Sequence, residues 1–583
     1  MTYEDPIKKA IQHSRKRLQP FREKRVAAIR EFVGRNYSDT GSRDRVPVNM
    51  LELFISTYAR QLVAGAPRVA VRPRQDILLP QASDLQEATN FVLREMDIET
   101  TLRVAVVDAL FSMGIVKVGI TEPKSAPMRG FLHDAGQPFA ECVGLDDWVH
   151  DMSARSLEEC GYMGHRFRVP LSEVQESGMY DRADKIVAIT RSLYNESGDT
   201  RAEAIGQSDI YHGMFDEAYA EMWEIWVPGS NKICTYATSE NGLPAFKVRE
   251  IDWDGPEAGP YHFLRFTEVP GNTMPLPPIA SLIDIHDLAN RLFRKLGRQA
   301  ERQKDVVGYR GSAEQDAKNV QTSSDGEIIR MDDPQSVNTY KFGGIDQQNL
   351  AFMIQLKNMF NYYGGNIDAL GGLGPQSSTV GQDRLIQESA SRRMADMQDS
   401  TKTFVGSVCE AVSHLIYHDN TATLELEKVV TGTNIKVPFV YSPDKRETDF
   451  FDFNFEIEPH SLLAQTPGEK MQSLREIMNS FISPLLPALQ QQGVNIDAQK
   501  LITTASELSQ LPELADMFVG LMSEAQAQPA PAPQNQQTEI IRTNRPGATP
   551  RGQDDVMQRL LTANGSGPGV QPSEAAAVER PTG

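Results

Sequence analysis

The stretch VPVNMLELFISTYARQLVAGAPRVAVRP, residues 46–73, places Leu51, Phe54, Ile55, Tyr58 and Leu62 at helical spacing. That pattern predicts an amphipathic helix. Asn49 is placed to cap it, with Glu52 three residues on as a capping-box partner. Gly65 is suited to end it in the left-handed conformation. Val69 and Val71 then alternate as a strand. A second helical pattern runs over about 83–113, stops at Gly114 and leads into the strand-like IVKVGI. Residues 115–270 read as β-rich. AYAEMWEIWVPGSNKICTYA holds two runs of β-branched and aromatic residues around PGSN, a hairpin turn.

The period changes at PLPPIASLIDIHDLANRLFRKLGRQAERQKD, residues 275–305. Prolines suit entry to a helix, and the pattern is helical from about 278 to 304, a length of roughly 40 Å. One face carries Leu282, Ile285, Leu288, Ala289, Leu292 and Leu296. The other begins with Asp284 and Asp287 and turns basic at Arg291, Arg294, Lys295, Arg298 and Arg302. Arg291, Lys295, Arg298 and Arg302 fall within roughly 60° of arc at 100° per residue.

A small mixed module follows at 306–345. VVGYRG and GEIIRM read as strands, with SAEQDAKNV a short helix between them. In the helix predicted over 346–363, apolar residues go most of the way round, which is expected of a helix buried on several sides. GGNIDALGGLGPQSSTVGQDR, 364–384, then holds six glycines. It separates that helix from another over 385–418. Connections between helices usually take about 2–8 residues, and one of roughly 20 is normally disordered or functional. TATLELEKVV, IKVPFVY and DFNFEIEP return to strand character within 420–460, and 466–523 carries two or three short helices. From about 524, Pro, Ala, Gln and Gly dominate, and the tail reads as disordered apart from a helical turn at 554–562.

Composition narrows the class. At 583 residues, a soft prior of about 150 per domain suggests about three or four domains. Hydrophobic and charged contents of 40% and 23% are ordinary for a soluble globular chain. No run of about 20 apolar residues predicts a membrane span, and MTYEDPIKKAIQHSRKRLQP has no apolar core of a secretory signal. Cys142, Cys160, Cys234 and Cys409 lie far apart without CxxC spacing, which suggests neither a zinc site nor a redox pair and fits synthesis in a reducing cytoplasm.

Net charge is −19. That argues against wrapping tightly around nucleic acid, which needs Lys and Arg, but not against a surface past which DNA slides. Residues 8–35 run against the balance, with ten Lys or Arg to two Glu. This helix-patterned segment is either a nucleic-acid or partner contact or a solvated helix face.

Catalytic motifs are not found. GxxxxGK[ST], HExxH, GxSxG and a GxGxxG following a strand are all missing. Scattered histidines and LDDWVHDMSAR, with Asp146, Asp147, His150 and Asp151, leave one local grouping that is either a metal cluster or a solvated turn. The reading is therefore a non-enzyme with no catalytic residue, no metal and no cofactor.

The order of elements resembles the portal protein, or head–tail connector, of tailed bacteriophages. The resemblance rests on NMLELFISTYARQLVAGAPRVAVRP, DALFSMGIVKVGI, LDDWVHDMSAR and EMWEIWVPGSNKICTY, followed by helix, small module, helix, long loop and longer helix over 278–418. It covers about 40–525. The N-terminal basic helix is longer than a minimal portal needs, and the tail lacks the apolar repeat of a long helical barrel.

The resemblance implies an α+β, ring-forming fold. Residues 1–45 would be a basic N-terminal helical segment, 46–277 a β-rich wing, 278–304 the first stem helix, 305–345 the clip and 346–363 the second stem helix. Residues 364–384 would be the tunnel loop, 385–460 the long helix and wing return, 461–523 a helical crown and 524–583 a disordered tail. It further implies a homo-oligomer of twelve copies at one capsid vertex of the virion, synthesised in the host cytoplasm. Its partners would be the major capsid protein, terminase, head–tail adaptor proteins and double-stranded DNA passing through without sequence preference, with no membrane. Arg291, Lys295, Arg298 and Arg302 would either face the DNA channel, or form salt bridges with a neighbouring subunit or face outward to the capsid. Gln376, Ser377, Ser378, Thr379 and Gln382 would line the tunnel loop. Two other classes remain open: another oligomeric virion component such as a minor head or adaptor protein, and a hydrolase with a carboxylate site around Asp146–Asp151.

Overall fold

A computed structural model describes residues 6–33, 48–121, 136–188, 219–370 and 380–462, less a few short stretches within them. The chain begins with helix α1 (Pro6–Val33), α2 (Met50–Leu62), strand β1 (Val69–Pro73), α3 (Leu79–Glu95) and α4 (Ile98–Phe111). Strands β2 (Gly114–Ile120), β3 (Pro138–Cys142), β4 (Trp148–His150) and β5 (Met163–Pro170) follow, then α5 (Leu171–Glu176). Next come β6 (Tyr219–Val227), β7 (Lys232–Thr238), β8 (Pro244–Asp252) and β9 (Tyr261–Leu264). The central part is α6 (Ile283–Glu301), β10 (Lys304–Tyr309), α7 (Glu314–Thr322), β11 (Val337–Phe342), α8 (Gln347–Tyr363), α9 (Ile367–Leu370) and α10 (Val380–His418). Strands β12 (Leu424–Val429), β13 (Lys436–Tyr441) and β14 (Phe453–Ile457) complete the described part.

Helices and strands are mixed, and no closed barrel forms among the described residues. Every described strand pair is antiparallel. β4 to β8 make one five-stranded sheet in chain order, and β3-β2-β9 make a second. The two sheets are pinned by a buried pair, Lys117 Nζ to Glu224 at 2.6 Å. The β6–β7 connection turns at Pro228–Ser230, with Asn231 in the left-handed region at φ 51°, as the PGSN signal predicts.

α2 forms where expected. The Asn49 side chain accepts from Glu52 N at 3.1 Å, and Leu51, Phe54, Ile55, Tyr58 and Leu62 are buried on one face. Gly65 plays a different part from the one expected. Its φ is not positive, and a Cβ there would lie 2.9 Å from the Ser461 carbonyl. It is a glycine of close approach rather than a left-handed cap.

β1 pairs with β14, Val69 opposite Ile457, so the last described strand returns to the first, while β12 and β13 pair with each other. α10 is the central strut of the largest core. Val405, Val408, Cys409, Val412 and Ser413 have no exposed surface, and Ser413 shares a 3.1 Å hydrogen bond with Thr89 of α3.

Four further expectations are corrected. The single helix expected over about 83–113 is two, α3 and α4, broken where Asp97 takes a left-handed φ of 48°. GEIIRM is not a strand; β10 pairs instead with β11, Lys304 opposite Phe342 and Tyr309 opposite Val337. Strand propensity in Ile328 and Ile329 finds no partner strand among the described residues, and a strand is defined by pairing. The helix over 278–304 begins as a short 3-10 turn at Pro278–Ser281 before α6 proper. The connection at 364–384 is shorter at both ends, because α9 occupies Ile367–Leu370 and α10 starts at Val380. The expected crown and tail, beyond 462, lie outside the described residues.

Candidate functional site

Two regions carried the sequence-level expectations: the acidic turn at 145–151, and the α6-to-α10 segment. In the turn, each side chain is held by a different partner. α1 supplies the first set. Its inner face buries Ile11, Leu18 and Val26, together with Arg22 and Arg25. Arg22 donates to the carbonyls of Leu145 (3.2 Å) and Trp148 (2.8 Å). Burial lowers its pKa to about 10. Arg25 sits between Asp108 (2.7 Å) and Asp146 (3.0 Å).

Asp147 instead pairs with Arg166 at 2.7 Å, and Arg166 also reaches buried Glu221 at 3.0 Å. Burial raises the Glu221 pKa. His150 is fully buried. Trp148 Nε1 donates to its Nδ1 at 3.0 Å, which leaves the proton on Nε2 to donate to Thr273 Oγ1 at 2.7 Å. Burial pushes His150 down to about 4. Asp151 accepts from Ser153 N at 3.0 Å, closing a local turn. These groups diverge. Among the described residues, no three His, Cys, Asp or Glu side chains come together as metal ligands would. The turn is a fastener between α1 and the sheets, and neither a solvated turn nor a shared ligand set.

The second region keeps its charge pattern. Leu282, which precedes α6, and Ala289 and Leu296 within it are buried at seven-residue spacing, while Leu288 and Phe293 are exposed. Arg291, Lys295, Arg298 and Arg302 are all exposed, the last as the residue that ends the helix. Arg291 Nε bonds Asp287 at 3.1 Å one turn earlier. No side-chain hydrogen bond or ion pair holds Lys295, Arg298 or Arg302 among the described residues. Among the described residues, Lys295, Arg298 and Arg302 therefore stand as three unpaired cations along one helical face.

Sequence reading missed the polar couple at the root of α6. His286 and Asn290 are buried one turn apart. Asn290 Oδ1 accepts from Val48 N at 3.2 Å, and Nδ2 donates to the His286 carbonyl at 3.1 Å. Burial lowers His286 to about 4. The His-x-x-x-Asn spacing on the apolar side was the available signal.

α8 packs beside α6. Its N-terminus is capped by Asp346, whose side chain accepts from Gln348 N at 3.1 Å. Only Leu356 and Phe360 are buried. Leu350, Phe352, Ile354 and Met359 are exposed, so the all-round burial expected of this helix is not met within one chain. More than half of the large apolar side chains exposed among the described residues fall between Leu288 and Tyr363. α8 ends at buried Gly364, whose carbonyl accepts from Tyr58 Oη at 2.7 Å.

Gln376, Ser377, Ser378 and Thr379 lie outside the described residues. Gln382 belongs to the backbone of α10 rather than to a loop. Among the described residues no helix is long and apolar enough to cross a membrane. No family model and no curated protein compared with the chain matches it.

Proposed function

We propose that this chain is a portal protein: a subunit of a twelve-membered ring at one capsid vertex, through which viral DNA is packaged and later ejected. The observation that carries the reading is the arrangement from α6 to α10. Two adjacent helices flank a small strand–helix–strand module, and the second helix leaves Leu350, Phe352, Ile354 and Met359 bare. An apolar concentration of that kind marks a surface that another chain covers. Copies related by rotation cover such surfaces by closing a ring of head-to-tail contacts.

In the ring, α6 and α8 form the stem, residues 305–345 the clip that meets terminase and then the adaptor, and the glycine-rich connection before α10 the tunnel loop. The wing contacts the major capsid protein. Arg291, Lys295, Arg298 and Arg302 stack as basic rings along a channel in a chain of net charge −19. Such rings lower the barrier to a polyanion, while the acidic remainder avoids gripping it. The competing role for these four residues is ion pairing with a neighbouring subunit.

Light scattering on the purified protein tests the reading. The expected mass is near twelve times 64.8 kDa. A double variant, Phe352→Glu with Ile354→Glu, is expected to stay folded and lose that mass, because both side chains are exposed in the single chain. A wild-type monomer, or a ring untouched by both charges, would overturn the stem assignment.

A further inference from the structure

The sheet of β10 and β11, whose strands are joined through α7, is bare. It has only two strands, and its residues are mostly exposed on both faces, including Val306, Tyr309, Tyr340 and Phe342. Two strands alone are marginal in water. Arg310 N donates to Ser336 O at 3.0 Å. Continuing that alternation turns the backbone groups of residues 336, 338, 340 and 342 toward β10. Those of Val337, Thr339 and Lys341 then face outward, where no strand lies beside them among the described residues.

A segment of strand composition without a partner strand lies nearby, its first residue, Glu327, exchanging hydrogen bonds with Ser324: Glu327 N donates to Ser324 O at 3.1 Å and its carboxylate accepts from Ser324 N at 2.8 Å. Residues 327–331, EIIRM, carry β propensity but form no strand. Ile328 is 98% exposed, the most exposed large apolar side chain among the described residues. The segment is held away from its own sheet, because Asp332 N donates to Asp316 of α7 at 3.1 Å and Pro334–Ser336 winds as a 3-10 turn.

We propose that residues 327–331 of one copy add as an antiparallel strand to the outer edge of β11 in a second copy of this chain. The proposal rests on the ring reading and names the contact at the clip. One register satisfies both charge and apolar pairing. It sets Glu327 opposite Lys341, Ile328 opposite Tyr340, Ile329 opposite Thr339, Arg330 opposite Asn338 and Met331 opposite Val337. Opposite charges and aromatic–β-branched pairs are the favourable cross-strand combinations. The edge of β10 offers no equivalent, since antiparallel pairing centred there sets Met331 against Asp305. Strand addition also removes the open edge that would otherwise invite uncontrolled pairing.

The register makes Arg330 and Asn338 a non-hydrogen-bonded pair, the kind whose side chains approach most closely. The four native cysteines are all buried, so an engineered pair reports alone. The full-length double variant Arg330→Cys, Asn338→Cys is oxidised and run on a denaturing gel, with native mass measured in parallel. The expected result is a ladder of covalently linked multimers. A same-chain link, seen as a shifted monomer band, would overturn the proposal in favour of an internal hairpin. A full ring without cross-links would overturn it while leaving the portal reading standing. A monomer without cross-links would overturn both. As a second variant, Thr339→Pro removes an N–H that β10 does not use. It should leave folding intact and lower the ring fraction at least several-fold, and an unchanged fraction counts against the edge.

Discussion

Arg25, on the basic N-terminal helix, holds Asp146 of the acidic turn at 3.0 Å across 121 residues of sequence. Its other nitrogen reaches Asp108 at 2.7 Å, and its side chain is 5% exposed. Removing one partner of a buried pair strands the other charge, at a cost of roughly 3–5 kcal/mol. Arg25→Met should therefore lower stability to urea by about that much. Lys24→Met, on the exposed side of the same helix, should change it by under about 0.5 kcal/mol. Equal effects would mean that α1 does not seat as described.

Acid should loosen the body before most carboxylates titrate. Burial holds His150, His262 and His286 at about 4, against 6.5 for a free imidazole. Between those values the unfolded chain binds the protons, so stability is full above pH 6.5 and falls as pH drops toward 4. His150 alone accounts for on the order of 3 kcal/mol of that loss. Urea midpoints across pH 4–7 measure the slope. His150→Gln keeps an acceptor for Trp148 and should flatten the slope; the wild-type slope in that variant would remove His150 from the account.

The basic face of α6 makes a separate prediction. Arg298→Gln with Arg302→Gln should leave assembly unchanged, because both side chains are exposed and unpaired among the described residues. DNA packaging or retention should change, and the difference should shrink at high salt, where exposed charges are screened within about 3–10 Å. Packaged length and retention equal to wild type at low and high salt would show that these residues do not face the channel.

Patterns that depend on near neighbours were legible in the sequence. Asn49 capping α2, the Pro228–Ser230 turn between β6 and β7, and the charge face of α6 all follow from residues within one or two turns of each other. Contacts between distant segments were not. The burial of Arg22 and Arg25 depends on carbonyls and carboxylates more than 80 residues away, and a basic helix reads the same whether or not they are there. GEIIRM has the composition of a strand, but pairing decides whether it is one. The bare faces of α8 were legible as apolar and illegible as to what covers them, because a single sequence does not separate burial within a chain from burial between chains.

The proposed assembly is a ring with a passage through it. Class-averaged electron micrographs of the purified full-length protein, viewed down the particle axis, test it most directly. The expected image is a closed ring of about twelve repeats around an open centre, the outcome of a heterologous contact that closes. A monomer, a two-fold dimer or a solid particle without a central opening would contradict it.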